Sequence, residues 1–394
     1  MSQLSGLFDL PNLINLPKRL LFIIPRQLSY QLFLSELSET LTASGVEVHC
    51  ACSVDLSVSR ESLVRFHHIP LPRGMNPIKH FRTARQLRTL VTEIRPELIH
   101  AHFSSAIFTT ALAVKSFWPT TIGTFQGLSY PLVQGQLRRL AIKQAETWAS
   151  SRLHGVWVLT QDDYLRIKRD APLAKSYLQQ TPGFGCRLRY FDPTTISSEE
   201  QEQLRQSLDI DKNDRVYTFI GRFTEFKGFA LTVRSFLELN QRFPKSKLLL
   251  IGQFDDLHPS GLDKLQIAQI SRHPAIRNVG WQSDVRKYLS ITDAVVFPSE
   301  REGVPVSLME AIAMGVPVIT MNARGCRDVV TDKVNGLLLY ERSKSALMHA
   351  MIRIYEDEQL RSLLRKGALA TRERFDRQHY INEQLSIYSR LIAT

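Results

Sequence analysis

The sequence predicts an α/β protein made of two doubly wound, Rossmann-like domains with parallel sheets. Its 394 residues suit two domains better than one. Short apolar runs alternate with helical patterns along almost the whole chain, and this alternation is typical of parallel sheets covered by helices on both faces. One turn-rich stretch, residues 181–213, interrupts the alternation and divides it into two series.

The first series opens at residues 19–24, an apolar run before Pro25 that predicts a buried strand. Apolar residues at helical spacing over 32–43, followed by Gly45, predict a helix that ends there. By the same criteria, this series continues with strands at 46–51, 98–102, 121–125 and 155–159 and with helices at 81–94 and 106–114. We assign residues 1–190 to an N-terminal domain.

The second series repeats the alternation after the junction. It consists of predicted strands at 215–220, 247–251, 278–280, 294–297, 316–320 and 337–339 and of helices that include 229–240 and 285–289. We assign residues 191–375 to a C-terminal domain and 376–394 to a final helical segment. Ligands of doubly wound sheets bind outside the carboxyl ends of the strands, so two such domains facing each other predict a binding cleft.

The net charge is +12 at pH 7, and most of the excess lies in residues 1–195. Lys79, Arg82, Arg85 and Arg88 are close together in sequence, and Arg82, Arg85 and, less closely, Arg88 share one stripe of predicted helix 81–94. Such a surface suits a polyanion, either nucleic acid, an anionic membrane or an acidic substrate, although an ordinary solvated surface has the same composition. No nucleic-acid-binding module accompanies the charge. The apolar-rich residues 4–16 form a second expected membrane contact.

Composition also bears on compartment. The four cysteines are too few and too scattered for a disulfide framework or a zinc ribbon. The first residues lack the basic and continuous apolar regions of a signal peptide, and no run of about 18 apolar residues predicts a transmembrane helix. We expect a cytoplasmic protein.

The most informative motif spans residues 298–317. It follows predicted strand 294–297, and Pro305 suits the first turn of a helix that starts at the carboxyl edge of the sheet. The positive end of that helix is a site for a diphosphate, and Gly303 lets the backbone approach a ligand closely. Carboxylates such as Glu302 and Glu310 accept hydroxyl hydrogen bonds from a sugar or ribose. The alternative is that both are ordinary surface glutamates around a helix start. The apolar residues next to Glu310 in the sequence argue against this alternative.

A second motif follows predicted strand 215–220. Gly221 permits a tight turn, after which Arg222 and Lys227 present two cations at the same edge of the sheet. Two fixed cations suit a diphosphate and stabilise its charge as it leaves. A solvated basic loop is the alternative.

Together these motifs resemble family 4 of the glycosyltransferases, which are retaining enzymes with the GT-B fold. The family pattern G-R-x4-K-G, then G-x-x-x-D, then P-S-x-x-E-G-x-P-x4-E-A-x-A-x-G-x-P-V is present in order and covers most of residues 180–345. Residues 69–77, 99–102 and 183–187 are similar to a branch that assembles bacterial surface polysaccharides.

The resemblance implies specific roles. Arg222 and Lys227 would hold the donor diphosphate, Glu310 the nucleotide ribose, and Glu302 would lie at the donor sugar. The catalytic residues implied are therefore Arg222, Lys227 and Glu302, and the substrate-binding residues are Glu310, Gly303, Val304, Pro305, Val306, Gln126, Gly221 and His102.

The sequence departs from the family at two places. The loop after the first strand, 25–30, lacks the usual glycine pair, and Thr124-Phe-Gln126-Gly127 has glutamine where many members have histidine. Gln126 can hydrogen-bond a sugar hydroxyl or a phosphate but cannot transfer a proton. In the family's retaining reaction the leaving phosphate is thought to accept the acceptor's proton, so a protein base is not required.

Two apparent metal motifs have simpler interpretations. His100-Ala-His102 has the spacing of metal ligands on a strand but no accompanying carboxylate or cysteine cluster, which favours a structural or acceptor-side role. Asp209-Ile-Asp211 imitates the D-x-D motif of GT-A enzymes but lies in the turn-rich junction. We expect no metal and no cofactor, because Arg222, Lys227 and the helix start after Pro305 would neutralise the diphosphate.

The resemblance predicts a retaining transferase of a hexose or N-acetylhexosamine. Its donor is a nucleotide diphosphate sugar. The resemblance favours UDP as the nucleotide and leaves GDP as an alternative. Its acceptor is a saccharide or polyprenyl-linked saccharide of lipopolysaccharide, O-antigen, capsule or exopolysaccharide. The N-terminal domain would hold the acceptor, the C-terminal domain the donor, and the last helix would pack back on the N-terminal domain. Peripheral contact with the anionic inner face of the cell membrane is expected, and nucleic acid is not. A sugar-nucleotide epimerase and a non-catalytic sugar-nucleotide-binding protein are the alternatives.

Overall fold

The computed structural model describes residues 15–54, 63–72, 74, 76–115, 118–256 and 258–393. The chain forms two compact units. Unit 1 comprises the chain up to Phe184 together with Gln378–Thr394, and unit 2 comprises Gly185–Arg377. The predicted apolar segment 4–16 lies almost entirely outside the described residues.

Unit 1 is built around a parallel sheet with the strand order β3-β2-β1-β4-β5-β6-β7. The strands are β1 (Arg19–Arg26), β2 (Glu47–Ser53), β3 (Arg65–His68), β4 (Leu98–His102), β5 (Thr120–Phe125), β6 (Gly155–Val158) and β7 (Ser176–Leu178). The helices between them are α1 (Gln27–Phe33), α2 (Ser35–Ala43), α3 (Pro77–Ile94), α4 (Ser104–Ala113), α5 (Gln136–Arg152) and α6 (Gln161–Asp170).

The apolar run recognised in the sequence forms β1, an interior strand of the sheet of unit 1. Residues 20–24 are fully buried, and Phe22 is in register with Cys50 of β2 on one side and with His100 of β4 on the other. The prediction missed β3 and β7, which are short strands at the two edges of the sheet. The predicted helix 32–43 is two helices, because the backbone leaves helical geometry at Leu34.

Unit 2 repeats the design with the strand order β10-β9-β8-β11-β12-β13. The strands are β8 (Arg215–Ile220), β9 (Ser246–Ile251), β10 (Ile276–Gly280), β11 (Ala294–Phe297), β12 (Val318–Met321) and β13 (Gly336–Leu339). The helices are α7 (Ser198–Ser207), α8 (Phe229–Arg242), α9 (Lys264–Arg272), α10 (Arg286–Ser290), α11 (Val306–Ala313), α12 (Cys326–Val329), α13 (Lys344–Glu356) and α14 (Glu358–Thr371).

These orders confirm the predicted fold class of two doubly wound parallel sheets. In each unit the strand order reverses once, between β1 and β4 and between β8 and β11. Such a reversal opens a crevice outside the carboxyl ends of the two strands, where ligands of this architecture bind. The motif that contains Gly221 follows β8, and the motif that starts at Pro298 follows β11. Both therefore lie at the reversal point of unit 2.

The junction region is more ordered than its composition suggests. Ser197 and Glu200 form a capping box, in which the Ser197 hydroxyl accepts from the Glu200 N–H at 3.1 Å and the Glu200 carboxylate accepts from the Ser197 N–H at 2.8 Å. This reciprocal cap starts α7. The turn-rich stretch 181–213 therefore contains a capped helix.

The last helix, α15 (Arg377–Ile392), belongs to unit 1 from Gln378 onward. Tyr388 is buried against the sheet, where its hydroxyl lies 2.7 Å from Nδ1 of His100. At the start of the helix, the Arg377 N–H donates to the Cys186 carbonyl at 2.9 Å. The chain therefore passes between the units twice, along two neighbouring segments.

Candidate functional site

The site in unit 2 begins where β8 and β9 end, at two glycines in close contact. A Cβ on Gly252 would lie 1.9 Å from the carbonyl oxygen of Gly221, so only glycine fits at position 252. The Gly221 N–H donates to the Ile251 carbonyl at 2.9 Å. This close approach holds the two strand ends together, and the residues after Gly221 follow at the carboxyl edge of the sheet.

Arg222 is the first cation of the edge. Its guanidinium donates to the Asp255 carboxylate, and about half of the Arg222 side chain is exposed. The other Asp255 oxygen lies 3.0 Å from Nδ1 of His258. Asp255 therefore orients Arg222 at the exposed end of the site.

Lys227 and Glu302 form the most buried ion pair of the site. The Lys227 ammonium lies 2.6 Å from Oε1 of Glu302, and each side chain is only 14% exposed. The Ser299 hydroxyl also donates to this carboxylate oxygen, at 2.9 Å. The Phe297 ring lies 4.9 Å from the ammonium. The Glu302 carboxylate, which the Ser299 hydroxyl holds, and the Phe297 ring thus fix the Lys227 ammonium in position.

Gly228 brings the two motifs together. It has φ +80°, and a Cβ there would lie 2.5 Å from the Pro298 carbonyl oxygen. The left-handed backbone and the missing side chain allow Lys227 to approach the loop that carries Glu302.

The loop after Glu302 is held by its backbone and leads into α11. The Glu302 N–H donates to the Arg324 carbonyl at 3.3 Å, and the Arg324 guanidinium donates to the Glu302 carbonyl at 3.2 Å. A Cβ on Gly325 would lie 2.2 Å from the Gly303 carbonyl oxygen. Helix α11 then starts directly after Pro305, so its first amides face the carboxyl edge of the sheet.

Glu310 lies one turn into α11 and is partly buried. Burial raises the pKa of its carboxyl to about 7, while the charges of Arg377 and Arg187 act in the opposite direction and Asp284 adds to the rise. A carboxyl with this pKa accepts or donates hydrogen bonds near neutral pH, so it can contact paired hydroxyl groups.

In unit 1, the structure brings His102 and Gln126 together at the carboxyl edge of β4 and β5. The Gln126 amide lies 3.3 Å from Nδ1 of His102. Within the described residues, Nε2 of His102 and Oε1 of Gln126 are buried without a hydrogen-bond partner. Burial lowers the pKa of His102 to about 3, so its ring is neutral at physiological pH.

His100 has a different role from His102. Its two ring nitrogens lie 2.7 Å from the Tyr388 hydroxyl and 2.8 Å from the Thr124 hydroxyl. Burial lowers the pKa of His100 as well. These contacts join β4, β5 and α15, which matches the structural alternative proposed for His100-Ala-His102.

The loop without a glycine pair has a simple structural counterpart. Strand β1 continues to Arg26, and α1 starts at the next residue, Gln27. Because strand passes directly into helix, no loop that would require glycine is present between them.

The basic surface of unit 1 differs in one respect from the sequence prediction. The Arg88 guanidinium donates to the carbonyls of Leu112 and Ala113, at 2.6 and 3.1 Å, and so caps the end of α4. Arg88 therefore belongs to the framework. The outer face of α3 instead combines exposed Lys79, Arg82 and Arg85 with exposed Ile78 and Phe81.

Helix α5 has a similar mixed surface at its start. Leu137 is 86% exposed and Leu140 is 53% exposed, next to exposed Arg138 and Arg139. Both α3 and α5 precede a strand of the parallel sheet, so their first turns lie at its carboxyl edge.

Among the described residues, no three histidine, cysteine, aspartate or glutamate side chains group closely enough to hold a metal ion. Across the same part of the chain, every helix is too short or too polar to cross a membrane.

The structure also shows site residues that the sequence analysis missed, chiefly Asp255 and Ser299. Asp255 lies just after β9, the neighbour of β8, so its place at the carboxyl edge was a usable signal. Ser299 was visible within the second motif, but its bond to Glu302 depends on how the loop folds.

Comparison with known proteins identifies relatives of both halves. Residues 19–158 match the family described as Glycosyl transferase 4-like, and residues 200–370 match Glycosyl transferases group 1. A UDP-Gal:alpha-D-GlcNAc-diphosphoundecaprenol alpha-1,3-galactosyltransferase of Escherichia coli is 22% identical over 320 residues, which are 80% of this chain and 81% of the relative. The capsular polysaccharide biosynthesis glycosyltransferase CapM of Staphylococcus aureus is 23% identical over 355 residues, 89% of this chain and 92% of the relative.

A solved structure shows the same fold. The crystal structure of Anabaena HepE in complex with UDP matches with a TM-score of 0.75 at 18% identity, over 94% of this chain and 98% of the other.

Proposed function

The chain belongs to the glycosyltransferases, with the GT-B fold and family matches in both halves, and on this premise we propose that it is a retaining, metal-independent glycosyltransferase. It moves a hexose or N-acetylhexosamine from a UDP-sugar to a lipid-linked or oligosaccharide acceptor in the biosynthesis of a bacterial surface polysaccharide. The observation that carries this proposal is the cluster at the carboxyl edge of unit 2, where the Lys227–Glu302 pair lies at 2.6 Å beside the start of α11.

Arg222, Lys227 and the first amides of α11 bind the donor diphosphate. A diphosphate carries two or more negative charges, and fixed cations with helix amides stabilise that charge without reorganising. Gly221 and residues Gly303–Val306 allow the backbone to come close to it. Because the cations carry this task, the reaction proceeds without a metal ion.

Glu310 binds the ribose hydroxyls, and Glu302 contacts the donor sugar while it orients Lys227. Two features support these assignments. Glu310 lies one turn after the start of α11, and the Glu302 carboxylate lies 2.6 Å from the Lys227 ammonium.

The donor and the linkage in the name of one relative support retention of the anomeric configuration. The relative from Escherichia coli uses UDP-Gal and makes an alpha-1,3 linkage. UDP-galactose carries its sugar in α linkage, so an α product retains the configuration. In a retaining reaction on one face of the sugar, the bond to the leaving phosphate breaks, the acceptor oxygen bonds to the anomeric carbon, and a phosphate oxygen takes the acceptor's proton.

This proton route fits unit 1. Gln126 cannot transfer a proton near neutral pH, and burial lowers the pKa of His102 to about 3, which makes its ring a weak proton acceptor. Their unpaired atoms, Nε2 of His102 and Oε1 of Gln126, can hydrogen-bond sugar hydroxyls. We assign them to substrate binding, without a role as acid or base.

The acceptor's lipid explains the mixed surface of α3 and α5. Exposed leucine, isoleucine and phenylalanine beside arginine and lysine are the composition of a peripheral contact with anionic lipid. This contact would keep the enzyme at the inner face of the membrane, where polyprenyl-linked acceptors are found.

The test is thermal stabilisation followed by transfer. UDP, GDP and ADP are added to the purified protein with and without EDTA; a ligand at a hundred times its Kd should add about 2.7 kcal/mol of stability. UDP should stabilise the protein, EDTA should have no effect, and Glu310→Ala should abolish the shift. Radiolabelled UDP-glucose, UDP-galactose, UDP-GlcNAc and UDP-GalNAc are then offered with a polyprenyl-diphosphate-linked sugar.

The outcomes separate the proposals. An elongated lipid product supports transfer. Conversion of the UDP-sugar to its epimer without an acceptor would replace transfer by epimerisation, and binding without any turnover would indicate a sugar-nucleotide-binding protein. Loss of transfer with EDTA would overturn metal independence.

A further inference from the structure

One buried carboxylate of unit 1 contacts both loops that carry the sugar-binding side chains assigned above. Glu146 lies on α5 and is 4% exposed. In the loop after β5, its two oxygens accept from the Ser129 N–H at 2.9 Å and from the Tyr130 N–H at 3.2 Å. The Ser104 hydroxyl, at the start of α4 after β4, also hydrogen-bonds to Glu146. Glu146 thus joins the two loops.

The loop after β5 is anchored by three consecutive N–H groups. Just before Ser129 and Tyr130, the Leu128 N–H donates to the Asp163 carboxylate of α6 at 3.1 Å. Asp163, like Glu146, is buried, and a buried carboxylate needs such donors to replace its lost hydration. Burial raises the pKa of Glu146, whereas its hydroxyl and N–H donors act in the opposite direction. The loop therefore rests on buried carboxylates of two helices.

The backbone beside His102 is strained. Phe103 has φ +74° and ψ 149°, a region that glycine almost alone occupies, and such a conformation persists only where surrounding contacts hold it. The Phe103 N–H donates to the Thr124 carbonyl of β5 at 3.1 Å. The next residue, Ser104, accepts from the Ser129 hydroxyl at 3.1 Å. Contacts with the neighbouring strand and loop thus fix the backbone directly after His102.

His102 and Gln126 present complementary hydrogen-bonding atoms. The Gln126 amide donates to Nδ1 of His102 at 3.3 Å, so the proton of the neutral ring lies on Nε2. Within the part of the chain that the structure describes, this nitrogen and Oε1 of Gln126 are buried without a partner. One donor beside one acceptor matches a hydroxyl group, which both donates and accepts.

We propose that Glu146 is a positioning residue for the pair His102 and Gln126. It holds the loops after β4 and β5 at a fixed spacing, so that Nε2 of His102 and Oε1 of Gln126 bind one hydroxyl of a saccharide. This rests on the proposed function, because the saccharide is the donor sugar or the acceptor. Glu146 is buried below the loops and acts on the sugar only through the pair.

The first experiment measures transfer and UDP affinity in the full-length protein. The donor is the one that the parent protein transfers best among UDP-glucose, UDP-galactose, UDP-GlcNAc and UDP-GalNAc. Glu146→Gln replaces one accepting oxygen by a donor and should lower kcat/KM about ten- to hundredfold, as expected for a misplaced binding group. The Kd for UDP, measured by calorimetry, should not change, since the diphosphate is assigned to unit 2. The KM that rises, the donor's or the acceptor's, identifies the sugar that the pair binds.

A double-mutant cycle tests whether Glu146 acts through the pair. In the Gln126→Ala background, Glu146→Gln should lower kcat/KM by less than about twofold, because the group that it positions is gone. The same loss in both backgrounds would show a purely structural role. Ser104→Ala removes only one neutral hydroxyl contact and should lower kcat/KM about two- to tenfold. This milder variant tests the connection between the loops even if Glu146→Gln does not fold.

Glu383 of α15 supplies a matched control. Its two carboxylate oxygens accept from the Gln180 N–H at 2.7 Å and from the Thr181 N–H at 2.9 Å. This is the same contact with two consecutive amides, but it lies after β7, two strands away from β5. Glu383→Gln should therefore leave kcat/KM unchanged. Parent-like kcat/KM in Glu146→Gln, or equal losses of transfer and of UDP affinity, would overturn the positioning role.

A spectroscopic measurement separates this proposal from the proposed function. In NMR spectra of protein with isotope-labelled histidines, the ring signals of His102 should shift in Glu146→Gln and stay in place in Glu383→Gln, without any substrate. If the parent protein neither binds UDP nor transfers a sugar, the proposed function fails, and these signals still report on the positioning. Unchanged His102 signals in folded Glu146→Gln would overturn the role of Glu146 by themselves.

Discussion

The pair Lys227–Glu302 gives the sharpest prediction, because the structure gives it both a stability role and a binding role. At an effective dielectric constant of about 20, unit charges 2.6 Å apart attract by about 6 kcal/mol before desolvation is subtracted. Removing one partner of a buried pair typically destabilises by about 3–5 kcal/mol. For Lys227→Met we expect the lower end, about 3 kcal/mol, because the Ser299 hydroxyl still donates to Glu302.

Calorimetry measures this loss. For a unit of this size, about 3 kcal/mol corresponds to a fall in Tm of about 6–12 °C. Glu302→Gln, which keeps the shape and loses the charge, should destabilise less. In the double variant Lys227→Met/Glu302→Gln, the loss of unfolding free energy should be smaller than the sum of the two single losses by at least about 1 kcal/mol. UDP binding, however, should be lost with Lys227 and should not return in the double variant.

An exposed pair supplies the control. The Lys344 ammonium lies 2.6 Å from the Glu238 carboxylate, but their side chains are 54% and 42% exposed. Lys344→Met should therefore change stability by less than about 1 kcal/mol and leave UDP binding intact. Equal effects of Lys227→Met and Lys344→Met on stability, or strictly additive losses in the double variant, would refute the reasoning.

Three further predictions follow from other features. Gly228→Ala should destabilise the protein by more than the left-handed backbone strain of about 1–2 kcal/mol, because a Cβ at this position also meets backbone atoms. The variant should also weaken UDP binding. Thermal melting measures the stability, and calorimetry measures the binding. Burial raises the pKa of Glu310 to about 7, so folding favours its protonated form. Up to about 3 kcal/mol of stability should therefore be lost as pH rises from 4.5 to 7. Glu310→Gln should flatten that part of the Tm–pH curve. Leu137→Asp should reduce sedimentation with vesicles that contain phosphatidylglycerol.

Each of these has its control. Gly45 has φ +85° with open space around it, so the loss of stability in Gly45→Ala measures backbone strain alone. An equal loss of stability in Gly228→Ala would exclude a clash at Gly228. A Tm–pH curve of Glu310→Gln that parallels the parent's would contradict the raised pKa. Leu265 is 76% exposed in unit 2, and Leu265→Asp should leave vesicle binding unchanged; an equal loss in both variants would contradict a specific membrane face.

Much of the fold could be predicted because it depends on local patterns. The buried strands β8 and β11 were assigned with their observed ends, since apolar runs bounded by turn residues define them. Edge strands β3 and β7 were missed because they are short and mostly exposed or partly buried, so they carry little apolar signal. Helix α7 was missed because its residues are polar or only partly buried, and its capping box was not recognised.

The candidate site divides in the same way. Arg222, Lys227 and Glu302 could be found because each follows a strand end within a short motif. The pairing of Arg222 with Asp255 could not, since it joins loops 33 residues apart. The capping of α4 by Arg88 was likewise invisible, because a helical stripe does not reveal which arginine turns inward.

The return of the chain to unit 1 has a consequence for the order of folding during synthesis. Unit 2 is one continuous segment, Gly185–Arg377, so the ribosome delivers all of it before α15 emerges. Unit 1, although it begins first, lacks the helix whose Tyr388 covers the buried face at His100. Domains usually complete their folding in the order of translation; here the unit that starts first finishes last. A nascent chain released without residues 378–394 should therefore expose the apolar face of unit 1 and recruit chaperones, while unit 2 is already complete.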